Sequence, residues 1–118
     1  MNIALWILQV LVGAFFVYHM TLMYRPQAGM VYMREMQPGL RIFAGTAGGL
    51  AGLALIFAGL VRPVAWLVTL AAAGLVVLML GAIVFHLRRH EYPNIGLNAV
   101  LLLLSGFIAY GRGVLAPF

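Results

Sequence analysis

Cysteine is absent, which excludes disulfides, thiol redox chemistry and thiolate metal sites in one step. Lysine is absent too: all seven basic residues are arginine, and only Glu35 and Glu91 oppose them. Charged residues make up 8% of the 118 positions, where a soluble domain carries about a quarter. That scarcity, set against 65% hydrophobic residues, places the chain outside the soluble range and within the length of one domain. The net charge of +5 has the sign that suits nucleic acid. The arginines, however, stand at the ends of apolar runs, where basic residues meet anionic lipid, so nucleic acid is not expected as a partner.

Four long uncharged runs remain: Ile3 to Tyr24, Ile42 to Val61, Val64 to Phe85 and Ile95 to Gly111, the last extendable through Val114. A bilayer core of ~30 Å needs about 20 apolar residues in a helix, and an isolated span must satisfy its own backbone hydrogen bonds. The fold expected is therefore all-α, a single transmembrane four-helix bundle with spans near 3–24, 42–61, 64–87 and 95–114. The first run has no basic residue before it and no clear small-x-small cleavage site, so it reads as a retained span and not a signal peptide. Arg62-Pro63 makes a tight hairpin between spans two and three. Asn94, after Pro93, is the expected N-cap of span four. The first connection, Arg25 to Arg41, reads as a short interfacial helix bracketed by Pro26 and Pro38.

An even number of spans puts connections one and three on one side, with Arg25, Arg34, Arg41, Arg88 and Arg89. Arg62 and Arg112 fall on the other. The positive-inside rule then places connections one and three in the cytoplasm and both termini outside, as expected for a bacterial inner-membrane protein. In span two, Gly45, Gly49, Gly52 and Gly59 form a small-residue stripe, read as packing within the bundle, with a dimer face as the alternative. Gly74 and Gly81 in span three suggest a second close contact. Asn98, Ser105 and Arg112, seven apart, make a polar stripe facing the bundle. Trp6, Trp66 and Tyr110 read as an aromatic belt with Arg62 and Arg112.

Polar groups inside lipid are expensive unless partnered, so their positions are the functional clue. Span order alone puts His19, Arg41, Thr46, His86, Asn94 and Asn98 toward one end. Two readings stand: a pocket for a quinone headgroup, a lipid or a small anion, or mutual satisfaction of polar groups and helix ends. His86-x-x-x-His90 has the one-face spacing of paired metal ligands, but Arg88 and Arg89 lie within it and disfavour a divalent ion. His19 and His86 lack any haem-attachment motif. His19 with Met20, Met23, Met30, Met33 and Met36 offers soft donors of the kind that suit Cu(I), whereas methionine also fills irregular apolar surface.

The stretch Leu70 to Asn98, LAAAGLVVLMLGAIVFHLRRHEYPNIGLN, resembles the DoxX-like family of small four-helix membrane proteins. The likeness lies in its Ala/Gly-rich helix, its His-Leu-Arg-Arg exit and its Pro-Asn restart. Ala109-Tyr110-Gly111-Arg112 is similar to the family's ending, and Gly49 and Gly52 match its glycines. Thr46 stands where the family often carries a glutamate, so no catalytic residue is carried over. The resemblance, covering about residues 40 to 113, implies an integral membrane protein with relatives in a thiosulfate:quinone oxidoreductase and in oxidative-stress systems. The function expected is a non-catalytic multi-pass subunit of, or accessory to, a larger membrane redox complex, contacting other membrane subunits and quinone or lipid. The alternatives are an autonomous quinone- or anion-binding oxidoreductase component and a Cu(I)-handling protein.

Overall fold

Long apolar runs without internal proline make long helices, and proline and polar residues mark their ends. In the computed structural model, residues 2–26 and 29–118 are described. They form α1 (Asn2–Tyr24), a short α2 (Val31–Glu35), α3 (Pro38–Phe57), α4 (Trp66–Arg88) and α5 (Tyr92–Tyr110). With their terminal turns, the long helices give four segments of sufficient length and hydropathy to cross a membrane: Asn2–Tyr24, Pro38–Leu60, Arg62–Arg88 and Tyr92–Leu115. No strand occurs among the described residues. Large apolar side chains such as Leu11, Phe43, Leu70, Val77 and Leu103 face outward. In water such a surface would aggregate; in hydrocarbon it is solvated.

α3 and α5 begin earlier than their apolar runs, for local reasons. Pro38 occupies the first turn of α3, where its missing N–H costs nothing, so Arg41 lies within that turn and does not open the helix. Likewise α5 starts at Tyr92 with Glu91 as its N-cap residue, so Asn94 lies inside the first turn and is not the cap. Between α3 and α4 the chain makes two 3-10 turns, Ala58–Leu60 and Arg62–Val64, the second holding Pro63.

α1 packs chiefly on α3, and α4 on α5, with α3 against α4 joining the two pairs. The α1–α3 contact is glycine-made. A Cβ on Gly52 would stand 2.6 Å from the Gly13 carbonyl oxygen, and a Cβ on Gly13 the same distance from that of Gly52. Toward the end of the bundle that carries α2, Gly45 accepts the side chain of Met23 and Gly49 that of Met20. Gly59 is covered by Trp6 and Phe118. The stripe thus serves packing within the bundle. Gly74 and Gly81 correct the expectation for span three: neither position would bring a Cβ within 4 Å of a neighbour. The core between the pairs is Phe16, Leu55, Val68, Ala72, Leu75 and Ile108.

The polar stripe of Asn98, Ser105 and Arg112 faces the bundle as expected, and all three side chains are buried. Arg112 lies in a π-helical turn, Gly111–Leu115, and is 3% exposed. Its Nε donates to Gln9 Oε1 at 2.5 Å, and its Nη1 donates to Asn2 Oδ1 at 2.6 Å and to the Ala116 carbonyl at 3.0 Å. Gln9, itself fully buried, donates from Nε2 to the Leu55 carbonyl at 2.9 Å. The buried Gln9 amide thereby bridges Arg112 and the Leu55 carbonyl and ties α1, α3 and the chain beyond α5 together.

Two glycine substitutions separate these contacts. Gly52→Ala must push backbone against backbone and should destabilise the protein by about 1–3 kcal/mol. Gly74→Ala meets open space and should be neutral or stabilising by up to about 1 kcal/mol. Thermal unfolding of both variants in the same mild detergent checks the contrast.

Candidate functional site

The end of α4 builds a charged, hydrogen-bonded cluster. His90 takes a left-handed conformation, φ 57°, which a helix end commonly requires of the residue just past its cap. With it, the Glu91 N–H reaches the His86 carbonyl at 3.0 Å and the His90 N–H the Leu87 carbonyl at 3.2 Å. This is the Schellman pattern of helix termination. It turns the chain back so that the Glu91 carboxylate meets the side chain of His86.

Glu91 Oε1 lies 2.8 Å from His86 Nδ1 and 3.0 Å from Arg89 Nε. An ionised carboxylate only accepts, so Nδ1 carries the hydrogen and Nε2 is the ring nitrogen without a protein partner among the described residues. Arg89 Nη2 also reaches Glu35 Oε2 at 3.3 Å, linking α2 to the α4–α5 turn. The Tyr32 ring stands edge-on to His86 with centroids 4.6 Å apart. Partial burial raises the Glu91 pKa, but the hydrogen bonds from His86 and Arg89 and their charges outweigh it and hold the carboxyl below its ordinary value. Burial, reinforced by the negative charge of Glu91, pushes the Tyr32 phenol up. The hydrogen bond to Glu91 keeps the Arg89 guanidinium firmly protonated.

Behind this cluster lies a cavity of about 320 Å³, walled by all five helices. That volume is at the lower end of the range for small-molecule sites. His19, Tyr32, His86, Asn94 and Asn98 supply its polar groups, and Phe15, Phe16, Phe43 and Phe85 much of its apolar wall. His19 stacks on Phe15 at 5.9 Å between centroids. Asn98 is 8% exposed, and its Nδ2, a two-hydrogen donor, has no partner among the described residues.

Of the six residues expected at this end, the cavity gathers four: His19, His86, Asn94 and Asn98. Thr46 is instead hydrogen-bonded to the Tyr24 hydroxyl, and Arg41, whose Nε is buried without a partner, lies outside the cavity lining. The methionines are engaged in packing: Met20 and Met23 lie on Gly49 and Gly45, Met33 is buried in α2, and Met36 lines the cavity. Met30 stands at the N-cap position of α2.

Sequence reasoning missed Glu91 as a partner of His86, and Gln9 as a partner of Arg112. Signals existed for both. Glu91 is one of only two acids and follows His86 by five residues, and Gln9 is the only amide in the first apolar run.

Because the folded pKa of Glu91 is depressed, its stabilisation is present above the ordinary carboxylate value of 4.5 and is lost as pH falls through the lower, folded value. Unfolding temperature should therefore decline below about pH 4.5 in the natural protein, and more shallowly in Glu91→Gln. Parallel acid titrations of the two proteins, followed by thermal melts, test this.

No curated protein and no solved structure matches the chain. A family model, described as the DoxX-like family, matches residues 7–108, which takes in all of α2, α3 and α4 and most of α1 and α5. With four apolar helices of spanning length, the chain is a multi-pass integral membrane protein and belongs to the DoxX-like family.

Proposed function

We propose that this protein is an accessory, non-catalytic subunit of a membrane redox assembly, and that its inter-helix cavity receives a quinone-type headgroup. The observation that carries the reading is Asn98. Its buried, unpartnered amide donor lines an apolar cavity beside His19 and His86. A buried donor left unpaired costs about 1–3 kcal/mol, so a ligand carbonyl that accepts from it gains correspondingly. A flat ring with carbonyl acceptors and an apolar tail matches both the aromatic walls and the donor set. His86 adds a second polar contact, with its tautomer fixed by Glu91.

The non-catalytic role is supported by composition. The only two carboxylates lie outside the long helices, both held by arginine or histidine, and no thiol exists. Electrons would then pass through the partner, with this subunit supplying the lipid-accessible quinone pocket. The arginine-rich connections support a cytoplasmic location for the cavity end, in a bacterial inner membrane.

Equilibrium binding of a short-tailed quinone to the detergent-solubilised protein tests the pocket. Asn98→Leu and His19→Leu should each weaken binding about five- to tenfold, the worth of one hydrogen bond. Unchanged affinity in both variants sinks the pocket. Extraction in mild detergent tests the subunit role: the protein should elute with a larger assembly that contains a redox-active partner. Recovery as a lone species with its own quinone turnover would replace the accessory reading with that of an autonomous enzyme.

A further inference from the structure

The far end of the bundle holds a buried cation with no acidic side chain as partner among the described residues. Arg112 is 3% exposed, and its three acceptors, Gln9, Asn2 and the Ala116 carbonyl, are all neutral. Its Nη2 is buried and has no hydrogen-bond partner among the described residues. The two acids of the chain are at the other end, engaged with His86 and Arg89. A guanidinium does not give up its proton, and a buried charge without a counter-charge is costly.

The surroundings of Arg112 narrow what completes it. The guanidinium lies over the Phe118 ring at 4.0 Å and near that of Trp6 at 5.5 Å, so aromatic rings pack against its faces. What remains is Nη2, whose N–H groups can pair with an oxyanion. Arg112 lines an open groove of about 770 Å³ that also contains exposed Arg62. The rest of its wall is largely apolar, with Trp66, Leu70 and Ala73 exposed along α4.

We infer that this groove is a binding site for a net-negative phosphodiester lipid, with the phosphate held by Arg112 and Arg62 and the apolar tail along Trp66, Leu70 and Ala73. The site is separate from the quinone cavity and does not depend on it. The phosphate supplies a counter-charge that no acidic side chain beside Arg112 provides, and the tail covers apolar groove surface. Arg112 also holds Gln9, so the bound lipid steadies the contact between α1 and the chain end beyond α5.

The test uses the full chain in a non-ionic detergent, with short-chain phosphatidylglycerol and inorganic phosphate as separate probes. Phosphatidylglycerol should bind saturably and raise the unfolding temperature. Arg62→Gln, on an exposed turn, should weaken that binding about fivefold. Arg112→Gln should weaken it by more than about tenfold. If Arg112→Gln does not fold, Arg62→Gln decides alone. Full lipid affinity in Arg62→Gln overturns the site, as does the absence of saturable binding. Stabilisation by inorganic phosphate equal to that by the lipid overturns the lipid assignment, leaving a small-anion site. None of these outcomes depends on His19 or Asn98, so the quinone reading stands or falls by its own measurement.

Discussion

The contact between α1 and α3 at Gly13 and Gly52 is the one on which both ends of the bundle depend. Lipid gives helices no hydrophobic reason to associate, so close backbone approach and interhelical hydrogen bonds must do it. On one side of that crossing, Gln9 comes within reach of the Leu55 carbonyl and offers its oxygen to Arg112. On the other, Met20 and Met23 settle on Gly49 and Gly45, while His19 lines the cavity. A side chain at position 52 would separate the helices and loosen both polar clusters together.

Charge is distributed with similar economy. Two acids serve seven arginines, and both acids are used at the α4–α5 turn. There the left-handed His90 folds Glu91 back over His86, fixing the imidazole tautomer and roofing the cavity with a hydrogen-bonded cluster tied to α2 through Glu35. The opposite end has only neutral acceptors for its buried Arg112. The cluster at His86 and Arg89 is thus paired with acids of the chain, and Arg112 relies on dipoles and aromatic rings. That asymmetry distinguishes a self-contained pocket from a surface suited to an outside anion.

Membership of the DoxX-like family fits this four-helix plan. In this chain Thr46 closes a hydrogen bond to Tyr24 and no carboxylate enters the bundle. The acid bonded to the cavity-lining His86 is Glu91, contributed by the turn after α4 and not by a span.

The sequence by itself determined the membrane class, the four spans, the short connections and the polar end, because hydropathy and charge are read along one dimension. It also marked Gly45, Gly49 and Gly52 correctly, since a dense small-residue stripe has few other uses. It did not determine how each helix is rotated about its axis. A span such as α4 is apolar on every side, because its lipid-facing surface must be as apolar as its packed one. Gly74 and Gly81 therefore looked like packing residues and are open, whereas the seven-residue spacing of Asn98, Ser105 and Arg112 did mark a buried face. Only the tertiary structure decided those rotations, the return of Glu91 to His86, and the pairing of Gln9 with Arg112 across 103 positions of chain. Each depends on contacts between segments that local pattern does not encode.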